Sequence, residues 1–328
     1  MPMTVPFSKD VLSIDAEGEV DRICEWIGDT VRGMMKRQGV VVALSGGIDS
    51  SVVGSLCVRA LGAERVFGLL MPERDSSADT ERLGWLIASH LGIEHTLRDI
   101  TDLLTAFDCY QLRDEAIASV VPGYRPGWKH KLVLPSVTDS DMYRVFSVVV
   151  EAPDGRVTRT RLSANASRQI VAATNFKQRT RKALEYYHAD RLNYVVAGTP
   201  NLLEYDQGFF VKLGDGAADL KPIAHLYKTQ VYQLAGYLGI PEEIRHRPPT
   251  TDTYSLPQSQ EEFYFSLPWD QIDLCLYART NDVPVAEVGA ALGLTEEQVE
   301  RVFRDIDSKR RMAQYLHREP QGVTGAPR

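Results

Sequence analysis

Five apolar residues, Val40-Val41-Val42-Ala43-Leu44, lead without a break into Ser45-Gly46-Gly47-Ile48-Asp49-Ser50-Ser51, and a helical stretch from Ser51 to Leu61 follows, closed by Gly62. An apolar run this short reads as a strand buried on both faces, the pattern of a parallel sheet. The cycle then repeats. Arg65–Met71 is a second strand stopped by Pro72, Ala78–Leu91 a helix ended by Gly92, and Ile93–Leu97 a third strand. Strands alternating with helices of 10–15 residues predict right-handed crossovers and a doubly wound parallel α/β sheet.

The remaining chain extends this plan. Glu19–Lys36 is expected to be a helix whose stripe is Ile23, Ile27, Val31 and Met34/Met35. A long helix from Ser167 to Tyr187 precedes the buried strand Asn193–Ala197, and Tyr227–Leu238 is a further helix. The last hundred residues read as mainly helical, with Val285–Leu292 and Thr295–Ile306 the clearest pieces. Residues 1–320 are therefore expected to form one domain, and 321–328, without apolar pattern, a disordered tail. Residues 120–166 break the alternation. Tyr143–Val150, the turn Pro153-Asp154-Gly155 and Arg156–Arg161 predict an antiparallel β-hairpin inserted in the domain, locally basic through Lys129, His130, Lys131, Arg156, Arg159 and Arg161.

Composition narrows the class. The chain has 328 residues and a formal charge of −7, against a general nucleic-acid binder. No apolar run reaches the length of a membrane span, and MPMTVPFSKD lacks the basic start and apolar core of a signal peptide. The four cysteines (Cys24, Cys57, Cys109, Cys275) lie far apart, without metal-binding spacing, and are expected to be reduced core thiols in a cytoplasmic protein.

The chemistry is expected at the SGGIDSS turn. In such a sheet, ligands bind beyond the carboxyl ends of the strands, where helix N-termini present free N–H groups to anions. Gly46 and Gly47 permit a tight turn and close backbone approach, and Ser45, Ser50 and Ser51 add hydroxyls. Asp49 would repel a phosphate unless a cation lay between them, so it suggests Mg²⁺. Neither GxxxxGK[ST] nor GxGxxG occurs in the chain.

Residues 42–51, VALSGGIDSS, resemble the SGGxDS pyrophosphate loop of the N-type ATP pyrophosphatases, enzymes of adenine nucleotide α-hydrolase-like fold that split ATP between its α- and β-phosphates. Further stretches narrow the resemblance to the NAD synthetase family: GTPNLLE at 198–204, GFFVKLGDGAADL at 208–220, LYKTQV at 226–231, PPTTD at 248–252, NFKQRTR at 175–181 and MPERDS at 71–76. The resemblance implies that Ser45, Gly46, Gly47, Ile48, Asp49, Ser50 and Ser51 hold the pyrophosphate of ATP, with Thr199, Lys228 and Thr250 also on ATP. It implies Asp49 and Glu204 as Mg²⁺ ligands, and Asp49, Lys228 and Thr250 as the catalytic set. Arg179, Lys212, Asp219 and Lys309 would bind deamido-NAD. The implied reaction adenylates the nicotinate carboxylate, and ammonia then displaces AMP, in a homodimer with no nucleic-acid or membrane partner. With the loop's strand beginning near residue 40, ammonia is expected to arrive free or from a separate glutaminase.

Two departures from the family pattern leave rivals. Ser308 stands where the family often has His beside Lys309, and Thr251-Asp252-Thr253 replaces Ala-Asp-Leu in a loop expected to be mobile. With the insertion, these keep open a related ligase acting on another carboxylic acid. The other rival is a non-catalytic nucleotide-binding module.

Overall fold

A computed structural model describes residues 7–138, 145–265 and 267–322. Its main sheet contains β1 (Val40–Ala43), β2 (Val66–Leu70), β3 (Glu94–Leu97) and β7 (Val195–Ala197), all parallel, in the order β3-β2-β1-β7. Both faces are covered. Val40 and Val42 of β1 pack with the helices Ile48–Leu61 and Lys228–Tyr237, while Val41 turns to a second core with Phe67, Leu69 and Val196. That two-sided burial is why the strand is apolar at every position. Since β2 and β3 lie on one side of β1 and β7 on the other, the strand order reverses between β1 and β7, the place where open α/β sheets hold ligands.

The first helix runs Ala16–Gly28, capped by Asp15 and continued by a wider π-type turn, Asp29–Met34. Ile23, Ile27 and Val31 are buried as expected, but Met34 is 77% exposed. The wider turn, with Met35 N donating to Thr30 O (2.9 Å), shifts the phase of the stripe and turns Met34 outward. The loop helix begins at Ile48 rather than Ser51, so Asp49, Ser50 and Ser51 belong to its first turn. Two helices that the sequence pattern did not signal, Thr101–Ala106 and Cys109–Ala118, lie between β3 and the insertion.

The insertion is a three-stranded antiparallel sheet rather than a hairpin: β4 (Lys129–Val133), β5 (Ser147–Glu151) and β6 (Val157–Arg161), in the order β4-β5-β6. Of the expected strand Tyr143–Val150, Tyr143 and Arg144 lie outside the described residues. β4 escaped notice because its inward residues are His130 and Leu132, and one polar member hides the alternation. Val148, Val150 and Leu132 pack with Ile117, Val121 and Ile170, joining the sheet to the rest of the domain. Its positive charge is partly balanced: Lys131 pairs with Glu262 (2.8 Å) and Lys129 with Glu151 (3.6 Å).

The long helix spans Ala164–Leu192, and the helices Trp269–Thr280, Val285–Leu292 and Glu296–His317 form a C-terminal core of their own. All four cysteines are free. Residues 323–328 of the expected tail lie outside the described residues, among which no helix is long and apolar enough to cross a membrane.

Candidate active site

The turn after β1 is built around Gly46, whose φ of +69° lies in the left-handed region. A Cβ there would also sit 2.5 Å from the Leu83 Cβ, so no other residue fits. Gly47 then caps the helix. Ser50 and Ser51 donate their hydroxyls to the Gly47 carbonyl (3.1 and 2.8 Å), and Ser45 Oγ accepts from Gly47 N (3.3 Å). Those two hydroxyl protons brace the loop. What the turn offers an anion is the first-turn N–H groups of the helix, which have no intrahelical acceptor.

Four side chains converge beside it. Lys228, the first residue of its helix, is 2% exposed and pairs with Asp49 Oδ2. Asn201 donates its side-chain amide to Asp49 Oδ1 (3.0 Å) and its backbone N–H to Glu204 Oε2 (3.3 Å). Glu204 returns the favour of a capping box, its own N–H donating to Asn201 Oδ1 (3.1 Å), so the helix start itself orients its carboxylate. Gln260 donates to Glu204 Oε1 (3.1 Å). Burial, then the Asp49 charge, push the Glu204 carboxyl well above the usual carboxylate range. Burial opposes the Lys228 ammonium, but Asp49 and Glu204 outweigh it and hold its pKa above the ordinary lysine value.

A cavity of about 500 Å³ opens over this cluster, beyond the ends of β1, β2 and β7. Of the residues expected at the site, Ser45, Gly47, Ile48, Asp49, Ser50, Thr199, Glu204, Lys228 and Thr250 line it. Gly46 and Ser51 stand behind the wall. The four expected acceptor-site residues lie elsewhere. Arg179 is exposed and donates to Lys212 O (3.4 Å). The Lys212 ammonium reaches the carbonyls of Tyr315 and Arg318 (both 2.9 Å). Asp219 accepts from Val196 N (2.7 Å) and Tyr186 Oη (3.3 Å). Lys309 is buried against Asp305 (2.7 Å) and donates to Tyr264 O (2.8 Å), meeting the cavity through Tyr264 alone of these contacts.

The structure adds residues whose roles the motifs did not explain, some inside the motifs and some outside them. Lys177 is buried between Glu73 (2.7 Å) and Asp75 (2.9 Å) and also donates to Thr253 O (2.7 Å). Arg113 pairs with Asp75 (2.6 Å) and Asp114 (2.8 Å). Thus MPERDS and NFKQRTR meet each other, and through Thr253 they hold the loop beside the cavity. The same loop is tied by Ser77 N to Asp252 Oδ1 (2.9 Å) and by Arg247 to Thr80 Oγ1 (3.2 Å). Gln260 carried no sequence signal, since only folding brings it to Glu204.

The family model described as NAD synthase matches residues 19–123 and 149–315. A protein of Mesorhizobium japonicum named NH(3)-dependent NAD(+) synthetase is 59% identical over 310 residues, 94% of this chain and 97% of that protein. One of the same name from Thermotoga maritima is 36% identical over 73% of this chain and 79% of its own length. Among solved structures, an NMN synthetase from Francisella tularensis superposes with a TM-score of 0.65 at 21% identity, covering 95% of this chain and all of that one. An NH3-dependent NAD synthetase from Campylobacter jejuni superposes with a TM-score of 0.62 at 24% identity over the same shares. At those identities the two structures speak for the fold. The stretch that the family model passes over, 124–148, is narrower than the 120–166 read from the sequence.

Proposed function

The chain belongs to the NAD synthase family, and from that premise we infer that it is an ammonia-dependent NAD⁺ synthetase, a carbon–nitrogen ligase that spends ATP to convert a nicotinate carboxylate to the amide. The observation that carries the active-site assignment is the Lys228 ammonium. Among the described residues its one acceptor is Asp49 Oδ2, and the residue lines the cavity, so a buried cation with donors beyond that pair borders it. Such a group suits a ligand rich in anionic oxygen, here the phosphates of ATP.

In this reading the first-turn amides after Gly47 receive the pyrophosphate end, and Lys228 counters the charge that grows on it as the nicotinate oxygen attacks the α-phosphorus. That displacement gives an acyl adenylate and pyrophosphate. Ammonia then adds to the acyl carbon and AMP leaves. Neither step needs a side-chain nucleophile, only alignment and charge stabilisation. Thr199 and Thr250 both line the cavity, which supports their assignment to ATP.

The donor set fits Mg²⁺. Asp49 and Glu204 both open on the cavity, and no group of three or more metal-ligating side chains occurs among the described residues. Two carboxylates completed by phosphate oxygens and water are what this cation prefers. When bound, it would neutralise charge on the departing pyrophosphate. We assign Arg179, Lys212, Asp219 and Lys309 to the dinucleotide acceptor, the first three off the cavity wall and Lys309 buried behind Tyr264. A homodimer, ammonia arriving free or from a separate glutaminase, and a cytoplasmic location complete the reading, the last supported by four free cysteines.

One observation favours the rival acid: Phe146, from the stretch that the family model passes over, lines the cavity. The test is NAD⁺ and pyrophosphate formation from ATP, Mg²⁺, ammonia and deamido-NAD. Stoichiometric NAD⁺, AMP and pyrophosphate are expected. Pyrophosphate release with another acid and none with deamido-NAD would replace the acceptor.

A further inference from the structure

The stretch 124–148 contains β4, whose two edges are both occupied. Toward β5 it pairs in register through Lys129↔Glu151, Lys131↔Val149 and Val133↔Ser147. In an antiparallel ladder the intervening residues turn their N–H and C=O groups the other way. There they meet residues 255–262. His130 N donates to Ser255 Oγ (2.9 Å), Leu256 N donates to His130 O (3.1 Å), the Gln258 side-chain amide donates to Leu132 O, and Leu134 N donates to Glu262 O (3.2 Å). Lys131 adds Pro257 O (3.2 Å) and Glu262 (2.8 Å).

The same segment is bound on its far side to the cavity loop. Thr251 N donates to Gln258 O (3.2 Å), Gln260 N donates to Pro249 O (3.3 Å), and Thr250 bridges to Ser259. The Thr251 hydroxyl also donates to Gln258 Oε1 (3.1 Å), so the Gln258 side chain touches β4 with one end and the loop with the other. From this layer Gln260 reaches across to Glu204 Oε1 (3.1 Å).

We propose that β4 is a template strand for the catalytic cavity: it sets the register of residues 255–262, and Gln260, so placed, is a positioning residue that orients the Glu204 carboxylate. The proposal rests on the reading of the cavity as the ATP site. One Glu204 oxygen is held by Asn201 N from its own helix start, and the other by Gln260 alone among the described residues. Residues 255–262 form no strand of their own, and the bonds to the cavity loop hold only 258–260, so the bonds to β4 at 255, 256, 258 and 262 are what fix the rest of the segment and with it the place of Gln260.

The experiment compares Gln260→Ala, Gln258→Ala and the double variant in the full chain. The readouts are kcat, KM for deamido-NAD, the Mg²⁺ concentration at half-saturation, and Mg²⁺-ATP affinity by calorimetry in the absence of acceptor. Each single variant is expected to lower kcat roughly tenfold and raise the Mg²⁺ half-saturation severalfold, with the deamido-NAD KM unchanged. Because both act through one contact, the double variant is expected to match the more impaired single rather than multiply the losses. Should Gln258→Ala fail to fold, Ser255→Ala loosens the same edge more gently. Unchanged kcat and Mg²⁺-ATP affinity in Gln260→Ala would overturn the positioning role, and multiplicative losses would overturn the link to β4. If the wild-type chain forms no NAD⁺, the acceptor reading fails, and the calorimetric comparison still decides the proposal.

Discussion

Two buried charge clusters in this molecule are built from the same parts and do opposite things. In one, Lys177 lies between Glu73 and Asp75, and in the other, Lys228 lies beside Asp49 and Glu204. Both lysines are 2% exposed. The difference is saturation. Lys177 spends its three donors on Glu73, Asp75 and Thr253 O, whereas Lys228 has one acceptor among the described residues. A closed cluster fastens elements together. An open one, with two carboxylates and an ammonium on a cavity wall, has the chemistry that suits a charged ligand.

The comparison can be broken by exchanging the damage. Lys177→Met should cost about 3–5 kcal/mol of stability, because it leaves Glu73 and Asp75 buried without their cation. Its readout is the denaturant midpoint, and a cost under ~1 kcal/mol would refute the fastening role. Lys228→Met should lose less stability than Lys177→Met, because Asp49 is partly exposed, and should lower kcat by ~10²–10³-fold, since its missing donors act on the transition state. Asp49→Asn and Glu204→Gln should each likewise remove most turnover; wild-type rates in either would sink the metal assignment.

A smaller effect sharpens the contrast through pH. His130, beside the closed cluster, is held down to about 3 by burial and then by the Arg113 charge. The unfolded imidazole takes its proton near 6.5, and the folded one does not until the pH is far lower. Stability from this group is therefore fully present above pH 6.5 and is lost as the pH falls toward 3. Asp75, held low by the Lys177 and Arg113 charges against the cost of burial, adds to the same acid sensitivity below its unfolded value of 3.8. In His130→Gln the melting temperature should fall less steeply between pH 6.5 and 4 than in wild type, and an equal slope would contradict the assignment. Least of all is expected from Arg159→Ala on the exposed β6, within about 0.5 kcal/mol and without change in kcat.

Much of this was legible beforehand, for reasons that differ by residue. The parallel core showed because two-sided burial leaves β1 and β2 no polar position. Gly92 marked its helix end because it closes in the left-handed region, at φ +63°. The glycine turn with Asp49 was legible from local pattern, and Glu204 and Lys228 through the resemblance to a family. β4 was not, since burying His130 among Tyr124 and Tyr254 disguises an alternating strand as a basic patch. Nor was it legible that Arg179 and Lys212 stand off the cavity wall, because the direction of each side chain depends on what packs beside it, Lys212 O for Arg179 and the Tyr315 and Arg318 carbonyls for Lys212.

Local patterning by itself determined the doubly wound core and the place of the glycine turn after β1, while Glu204 and Lys228 entered through the resemblance to a family. The core and the turn follow from burial, chain turning and helix termini, which act over a few residues. Tertiary structure alone decided which lysine stays open, that β4 fills the edge beside 255–262, and that Gln260 faces Glu204. Each depends on how many partners a group meets from distant segments, and that count exists only once the chain has closed on itself.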